Sequence, residues 1–405
     1  MNISDFYQNG IIPTLHNFNN ADTKALSQEL ELISEEKPME LILPCLFSEL
    51  ESPALKNILN KINKLNFLQH IIIGLDRADE KQFLYAKKFF SILKTQYSIL
   101  WNDGPRLKTL QDELNSKELA DVEDGKGKNV WYCIGFAISR NSAEAVAFHD
   151  CDIKTYSEKF LIKLFYPLLN DSMSYSFSKG YYPRYADNHL NGRVTRLLVT
   201  PLVKSLIKLF GNNDYLEFID AFRYPLAGEY ALKKHLLKEI RIPSDWGLEI
   251  GILSELQRNY SSKLCCQVDL ADSYDHKHQT LSTEDKTKGL SRMTIDITKA
   301  LLRKMATQGH TFSEESFRTL KATYYRKALE YIDIYKDDAK INGLSLDLNL
   351  EEKTVELFAE NIINAGKVFL SKPMEKPFIP SWNRIEYASP GFIKKLRQAV
   401  YEDNK

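Results

Sequence analysis

From about residue 38 the chain alternates short apolar runs with longer amphipathic stretches, and this alternation constrains the fold more than any other feature. Leu41-Ile42-Leu43-Pro44 reads as a first strand, Ser52 to Leu65 as a helix, and His70-Ile71-Ile72-Ile73-Gly74 as a second strand ending at Leu75-Asp76. Phe83 to Leu93 is again helical, and Tyr97-Ser98-Ile99-Leu100-Trp101 is a third strand. Asn129 to Ser139 forms an amphipathic helix ahead of a fourth strand, Ala145-Val146-Ala147-Phe148. Apolar runs without polar alternation suit strands covered on both faces, and repeated strand–helix–strand units build parallel sheets. The expectation is an α/β protein with a Rossmann-like, mostly parallel sheet flanked by helices.

Residues 188 to 275 continue as mixed α/β, whereas the chain becomes helical and richly charged from about 285. There Ile295 to Thr307, Glu314 to Lys336 and Glu351 to Phe369 place apolar residues at three- and four-residue spacing. A soft boundary is expected near Thr283-Glu284-Asp285-Lys286. Lys+Arg and Asp+Glu both total 54, so no overall basic field draws in nucleic acid, and an anionic ligand must be met by a local cluster. Five cysteines (Cys45, Cys133, Cys151, Cys265, Cys266) without C-x-x-C spacing argue against a disulfide framework and a structural zinc site. Reduced thiols in a cytoplasmic protein are expected. No apolar stretch approaches the roughly 20 residues of a membrane span, so no membrane partner is expected.

Asp150-Cys151-Asp152 follows the fourth strand. Successive side chains of a strand face opposite ways, so an i, i+2 carboxylate pair just past its end can converge on one hard divalent cation. In open α/β sheets the ligand crevice lies at that same carboxyl edge. Taken alone the tripeptide reads more readily as an ordinary acidic turn. Gly125-Lys126-Gly127-Lys128 precedes the helix near Asn129, where backbone N–H groups and a lysine can approach a phosphate; it is not a P-loop.

Asn191-Gly192-Arg193-Val194-Thr195 opens another helix and offers an Arg fork suited to phosphate or carboxylate, with Lys179, Arg184 and Arg196 available to extend a positive patch. Its plainer reading is an Asn cap followed by a surface arginine. Pro225-Leu226-Ala227-Gly228-Glu229-Tyr230-Ala231 reads as a small-residue turn with Glu229 at the start of a helix. Trp246-Gly247-Leu248-Glu249-Ile250-Gly251 sets a second acid among apolar neighbours. His276-Lys277-His278 closes the α/β region after the strand-like Cys266-Gln267-Val268-Asp269-Leu270, and imidazole is a competent ligand for Mn²⁺.

In this order the blocks resemble the glucosyl-3-phosphoglycerate synthases, retaining GT-A glycosyltransferases of the family 81 type, over roughly residues 38 to 285. The resemblance implies a GT-A domain at 38–284, its nucleotide-sugar part reaching about 155 and its acceptor part following, between an N-terminal segment (1–37) and a helical C-terminal region (285–405). It implies Mg²⁺ or Mn²⁺ on Asp150, Asp152 and His276, and a nucleotide-sugar site formed by Pro44, Cys45, Leu46, Glu49, Asp76, Lys126, Asp150, Cys151 and Glu229. Gly192, Arg193, Thr195 and His278 would meet the acceptor, with Asp152, Glu229 and Lys126 in catalytic roles.

The implied reaction moves glucose from a nucleotide sugar, UDP-glucose foremost, to 3-phosphoglycerate by front-face attack, in a homodimer. The chain departs from the family where Phe47-Ser48-Glu49 stands in place of a small residue and Asn-Glu-Glu, and where His278 replaces an Asn. Alternatives are the same donor with glycerate, another phosphorylated acid or a sugar as acceptor, and a non-catalytic sugar-nucleotide sensor. A nucleotidyltransferase would carry its Gly-rich loop directly after the first strand, where this chain has Pro44-Cys45-Leu46-Phe47.

Overall fold

The computed structural model describes residues 8, 10–120, 124–276, 289–372, 375 and 378–405. Eight strands form one sheet: β1 (Thr14–Leu15), β2 (Met39–Leu46), β3 (Leu68–Asp76), β4 (Tyr97–Trp101), β5 (Ala145–Phe148), β6 (Phe177–Tyr181), β9 (Tyr230–Lys233) and β10 (Cys265–Asp269). Their order is β4-β3-β2-β5-β9-β6-β10-β1, and short strands β7 (Tyr185–Ala186) and β8 (His189–Leu190) pair separately. Every contact in the large sheet is parallel except those of β9 with β5 and β6.

The unbroken apolar character of β2 and β3 has a simple cause. Ile42, Ile72, Val146 and Phe148 face the layer that holds the helix Lys126–Arg140. Leu41, Leu43, Ile71 and Ile73 face the opposite layer, with the helices Pro53–Ile62 and Lys159–Leu169. Both sets are fully buried or nearly so, each large side chain contributing about 1.5–3 kcal/mol. The mostly parallel sheet expected from the sequence is present, and no helix among the described residues is long and apolar enough to cross a membrane.

One expectation is corrected. The Pro225–Ala231 segment does not open a helix: Glu229 leads directly into β9. The aromatic Tyr230 stacks on Phe148 of β5 with ring centroids 4.7 Å apart, and β9 fills the gap between β5 and β6, so packing on both sides selects the extended backbone. The N-terminal residues also join the sheet, β1 pairing with β10 in the register Thr14 to Gln267.

The helices Gly289–Thr307, Glu314–Ile341 and Leu348–Ser371 pack on one another and on a helical turn at Val194–Val199. The last two helices, Trp382–Ala388 and Phe392–Asn404, lie against the helix Lys126–Arg140 and the outer strand β4. Trp382 stacks on Trp131 at 4.1 Å, and the two indoles exchange hydrogen bonds with backbone carbonyls: Trp382 Nε1 donates to Trp131 O and Trp131 Nε1 to Pro380 O. Gly135 makes this approach possible, since a Cβ there would lie 2.1 Å from the Trp382 ring. The Asn404 side chain then pairs with both the N–H and the C=O of Ile99, closing the exposed edge of β4. Trp382→Ala should cost about 3–5 kcal/mol in urea unfolding, because a fully buried indole leaves a cavity that cannot collapse around it. A loss under about 1 kcal/mol would mean that this tail is not anchored as described.

Candidate active site

The parallel direction of β2 through β6 and β10 brings their carboxyl ends to one edge, where a cavity of about 610 Å³ opens. Pro44, Cys45, Leu46, Glu49, Asp76, Lys126, Asp150, Cys151, Asp152, Gly192, Arg193 and His276 all line it. Glu229 and Thr195 are buried and are not part of its wall, and His278 lies outside the described residues.

At the centre, Lys126 is the first residue of its helix and reaches Asp150 Oδ1 at 2.6 Å and Glu249 Oε1 at 3.1 Å. Burial works against its ammonium, but the two carboxylates outweigh that cost and hold its pKa well above the usual lysine range. Gly228 permits this arrangement, because a Cβ there would come within 2.4 Å of Asp150 Oδ2. Asp152 Oδ1 is buried without a hydrogen-bond partner among the described residues and lies 3.7 Å from His276 Nδ1. An unsatisfied carboxylate oxygen beside an imidazole nitrogen suits Mg²⁺ or Mn²⁺, so these residues fit the ion that the sequence pattern implies.

Part of the cavity wall is acidic. The Asp76 carboxylate accepts from Asn102 Nδ2 at 2.7 Å, and burial nonetheless pushes its pKa up to about 6. Glu49 accepts the Leu46 N–H at 3.0 Å; burial, with Asp152 and Asp150 nearby, pushes its pKa up to about 7. Asn102 and Asn129, also on this wall, carried no motif. Asn102 could have been found from its position just after the third strand, at the edge where such folds bind ligands.

Arg184 and Arg193 also line the cavity. Arg184 donates from Nη1 to Tyr224 OH at 2.9 Å, and Arg193 donates from Nε to Glu351 at 2.7 Å. Two other cations of the expected patch face elsewhere. Lys179 is buried and donates to Ala227 O at 2.7 Å, with burial lowering its pKa to about 8. Arg196 is buried against Glu351 and Asn191 O.

Glu229, expected at the donor sugar, accepts hydrogen bonds from Tyr182 OH and, at 2.8 Å, from Tyr274 OH. Those two rings stack 3.7 Å apart and themselves line the cavity, so Glu229 reaches it only through them. Burial and the nearby Asp150 raise its pKa, opposed by the two phenols. Met293 and Ile297, on the helix Gly289–Thr307, complete the wall and had no local signal in the sequence.

The carboxylate shifts predict a pH dependence. Between about pH 4 and pH 7 the folded chain holds protons on Glu49 and Asp76 that the unfolded chain has lost, so stability falls as pH rises through that window. Glu49→Gln should therefore stabilise metal-free protein by about 1–3 kcal/mol at pH 8 and leave it unchanged near pH 4. Urea midpoints at the two pH values measure this, and a pH-independent difference would contradict it.

No protein-family model matches the chain. Among curated proteins it is 41% identical over 402 residues to the glucosyl-3-phosphoglycerate synthase of Persephonella marina, covering 99% of each chain. It is 37% identical over 406 residues to the protein of that name from Methanococcoides burtonii, covering 99% of this chain and 98% of the other. Among solved structures it resembles glucosyl-3-phosphoglycerate synthase from Mycobacterium tuberculosis in complex with Mn²⁺, UDP-glucose and phosphoglyceric acid. The TM-score is 0.53 at 21% identity, over 73% of this chain and 88% of that one. Full-length similarity at this level, on a sheet of the same fold, establishes that the chain belongs to the glucosyl-3-phosphoglycerate synthase family of glycosyltransferases.

Proposed function

We propose that this protein transfers glucose, with retention, from UDP-glucose to the hydroxyl of 3-phosphoglycerate. The observation that carries the reading is one cavity whose wall holds both Asp150, Asp152, His276 and Lys126 and the side chains of Arg184 and Arg193. A nucleotide-sugar diphosphate suits the first group and a small doubly anionic acceptor the second. The names of the full-length relatives and the ligands in the mycobacterial complex support the same assignment.

Asp150, Asp152 and His276 would hold Mg²⁺ or Mn²⁺, which when bound offsets charge on the leaving diphosphate. Lys126, fully protonated between its two carboxylates, is placed to donate to a diphosphate oxygen. Arg193 and Arg184 orient the acceptor through its phosphate and carboxylate, and the Gly192 turn shapes the same wall. Both oxygens of Glu229 are occupied by tyrosine hydroxyls, which argues against this acid as a covalent nucleophile. We therefore favour front-face attack: the acceptor oxygen bonds to the anomeric carbon as the carbon–diphosphate bond breaks, and its proton passes to the departing diphosphate oxygen. Glu229 sets the position of Tyr182 and Tyr274 at the cavity. The catalytic groups fall in 38–284, with the helix Gly289–Thr307 closing the wall, and five free, buried cysteines support a reducing compartment such as the cytoplasm.

The test is UDP release by purified protein with Mg²⁺ or Mn²⁺, crossing UDP-, GDP- and ADP-glucose with 3-phosphoglycerate, glycerate and no acceptor. Release is expected with UDP-glucose and 3-phosphoglycerate together, abolished by EDTA and lowered about 100-fold or more by Asp152→Ala. Arg193→Ala should raise the acceptor KM about tenfold or more. Equal slow hydrolysis with every acceptor would leave the donor assignment standing and refute 3-phosphoglycerate. Wild-type turnover by Asp152→Ala would refute the metal assignment.

A further inference from the structure

We infer that Glu351, supplied by the C-terminal helical region, is the positioning residue for the arginine that grips the acceptor; this rests on the functional reading above. Glu351 is fully buried, and its two carboxylate oxygens are divided between two guanidiniums. Oε1 accepts from Arg193 Nε at 2.7 Å and Oε2 from Arg196 Nη1 at 2.9 Å. Arg193 and Arg196 stand three residues apart where the chain enters a helical turn, so without an anion between them two positive charges would repel across one face. One carboxylate cancels one of those charges and leaves a net positive charge, joined by Arg184, for an incoming anion.

The placement of Glu351 is itself fixed. It lies in the first turn of the helix Leu348–Ser371, where the helix dipole favours a negative charge, and its N–H bonds to the carbonyl of the capping residue Asp347. The Asp347 side chain accepts from Leu350 N, which locks that first turn. On the other side, Arg196 passes the constraint onward. Its Nε donates to Asn191 O at 2.7 Å, and its guanidinium lies 4.8 Å from the Tyr335 ring, so it braces the Asn191-Gly192 turn against the tail. Arg193, by contrast, keeps about 30% of its side chain exposed to the cavity. Glu351 engages its Nε edge, which restricts the swing of a long side chain and directs the remaining nitrogens of the fork towards the cavity. The helical tail thereby supplies a polar part of the acceptor site from a position 158 residues along the chain.

The experiment compares full-length wild type with Glu351→Gln and Glu351→Ala by UDP release, varying 3-phosphoglycerate at saturating UDP-glucose and the reverse. The isosteric Gln variant guards against a folding failure of the Ala variant. Both should raise the acceptor KM, the Ala variant about tenfold or more, while the UDP-glucose KM stays within about twofold. In the Arg193→Ala background, Glu351→Ala should add less than about threefold, because a residue acting through Arg193 loses its effect once Arg193 is gone. An unchanged acceptor KM in either variant overturns the inference. So does a parallel rise in both KM values with a lowered melting temperature, the mark of a purely structural ion pair. A wild type inactive with 3-phosphoglycerate would refute the functional reading instead. Glu351 would then be judged by calorimetry with inorganic phosphate, whose affinity should fall at least about fivefold in Glu351→Gln, equal affinities overturning the inference.

Discussion

The Lys126 bridge between Asp150 and Glu249 is the interaction on which the site depends. It joins three parts of the sequence: a helix start after a glycine turn, the acidic tripeptide after β5, and the first turn of the helix Leu248–Asn259. Glu49, Asp76, Asp150, Asp152 and Glu249 all line one cavity, so their mutual repulsion must be balanced. Lys126 balances two of them. The others are left outside that bridge: burial, with neighbouring carboxylates adding to it, pushes Glu49 up to about 7 and Asp76 up to about 6, and Asp152 keeps a buried oxygen without a hydrogen-bond partner among the described residues. An added cation would relieve the crowding of carboxylates in a cavity of this kind.

A single reversed strand organises one side of the cavity. β9 runs antiparallel between β5 and β6, so the residue just before it, Glu229, lies beside the acidic tripeptide that follows β5. Gly228 lets the chain pass Asp150 without a clash, and Lys179 holds the turn through Ala227 O. The carboxylate of Glu229 is then covered by Tyr182 from the end of β6 and Tyr274 from beyond β10. Two stacked phenols line the cavity in place of a bare acid.

The helical tail enters the function through the same logic of burial and charge. Trp382 clamps it to the helix that begins at Lys126, and Glu351 joins it to Arg193 and Arg196. Removing the tail would therefore open the apolar layer behind Lys126 and leave Arg193 and Arg196 without their shared counter-charge.

The sequence alone determined five of the sheet's strands, their mostly parallel arrangement and several of the blocks that line the cavity. Fully apolar runs such as Ile71-Ile72-Ile73 can be satisfied only by burial on both faces, and Asp150-Cys151-Asp152 and Gly125-Lys126 fall at strand and helix ends that local pattern reveals. Tertiary structure decided what pairs with what. No local rule distinguishes a turn that starts a helix from one that starts a strand between two others, so Glu229 was placed on a helix when packing against Phe148 puts it before β9. Nor can spacing show that Lys179 and Arg196 turn inward while Arg184 and Arg193 face the cavity, or that Glu351 is the anion between two arginines. Those choices depend on contacts between residues 40 to 158 positions apart, and a contact at that range leaves no periodic trace in the sequence.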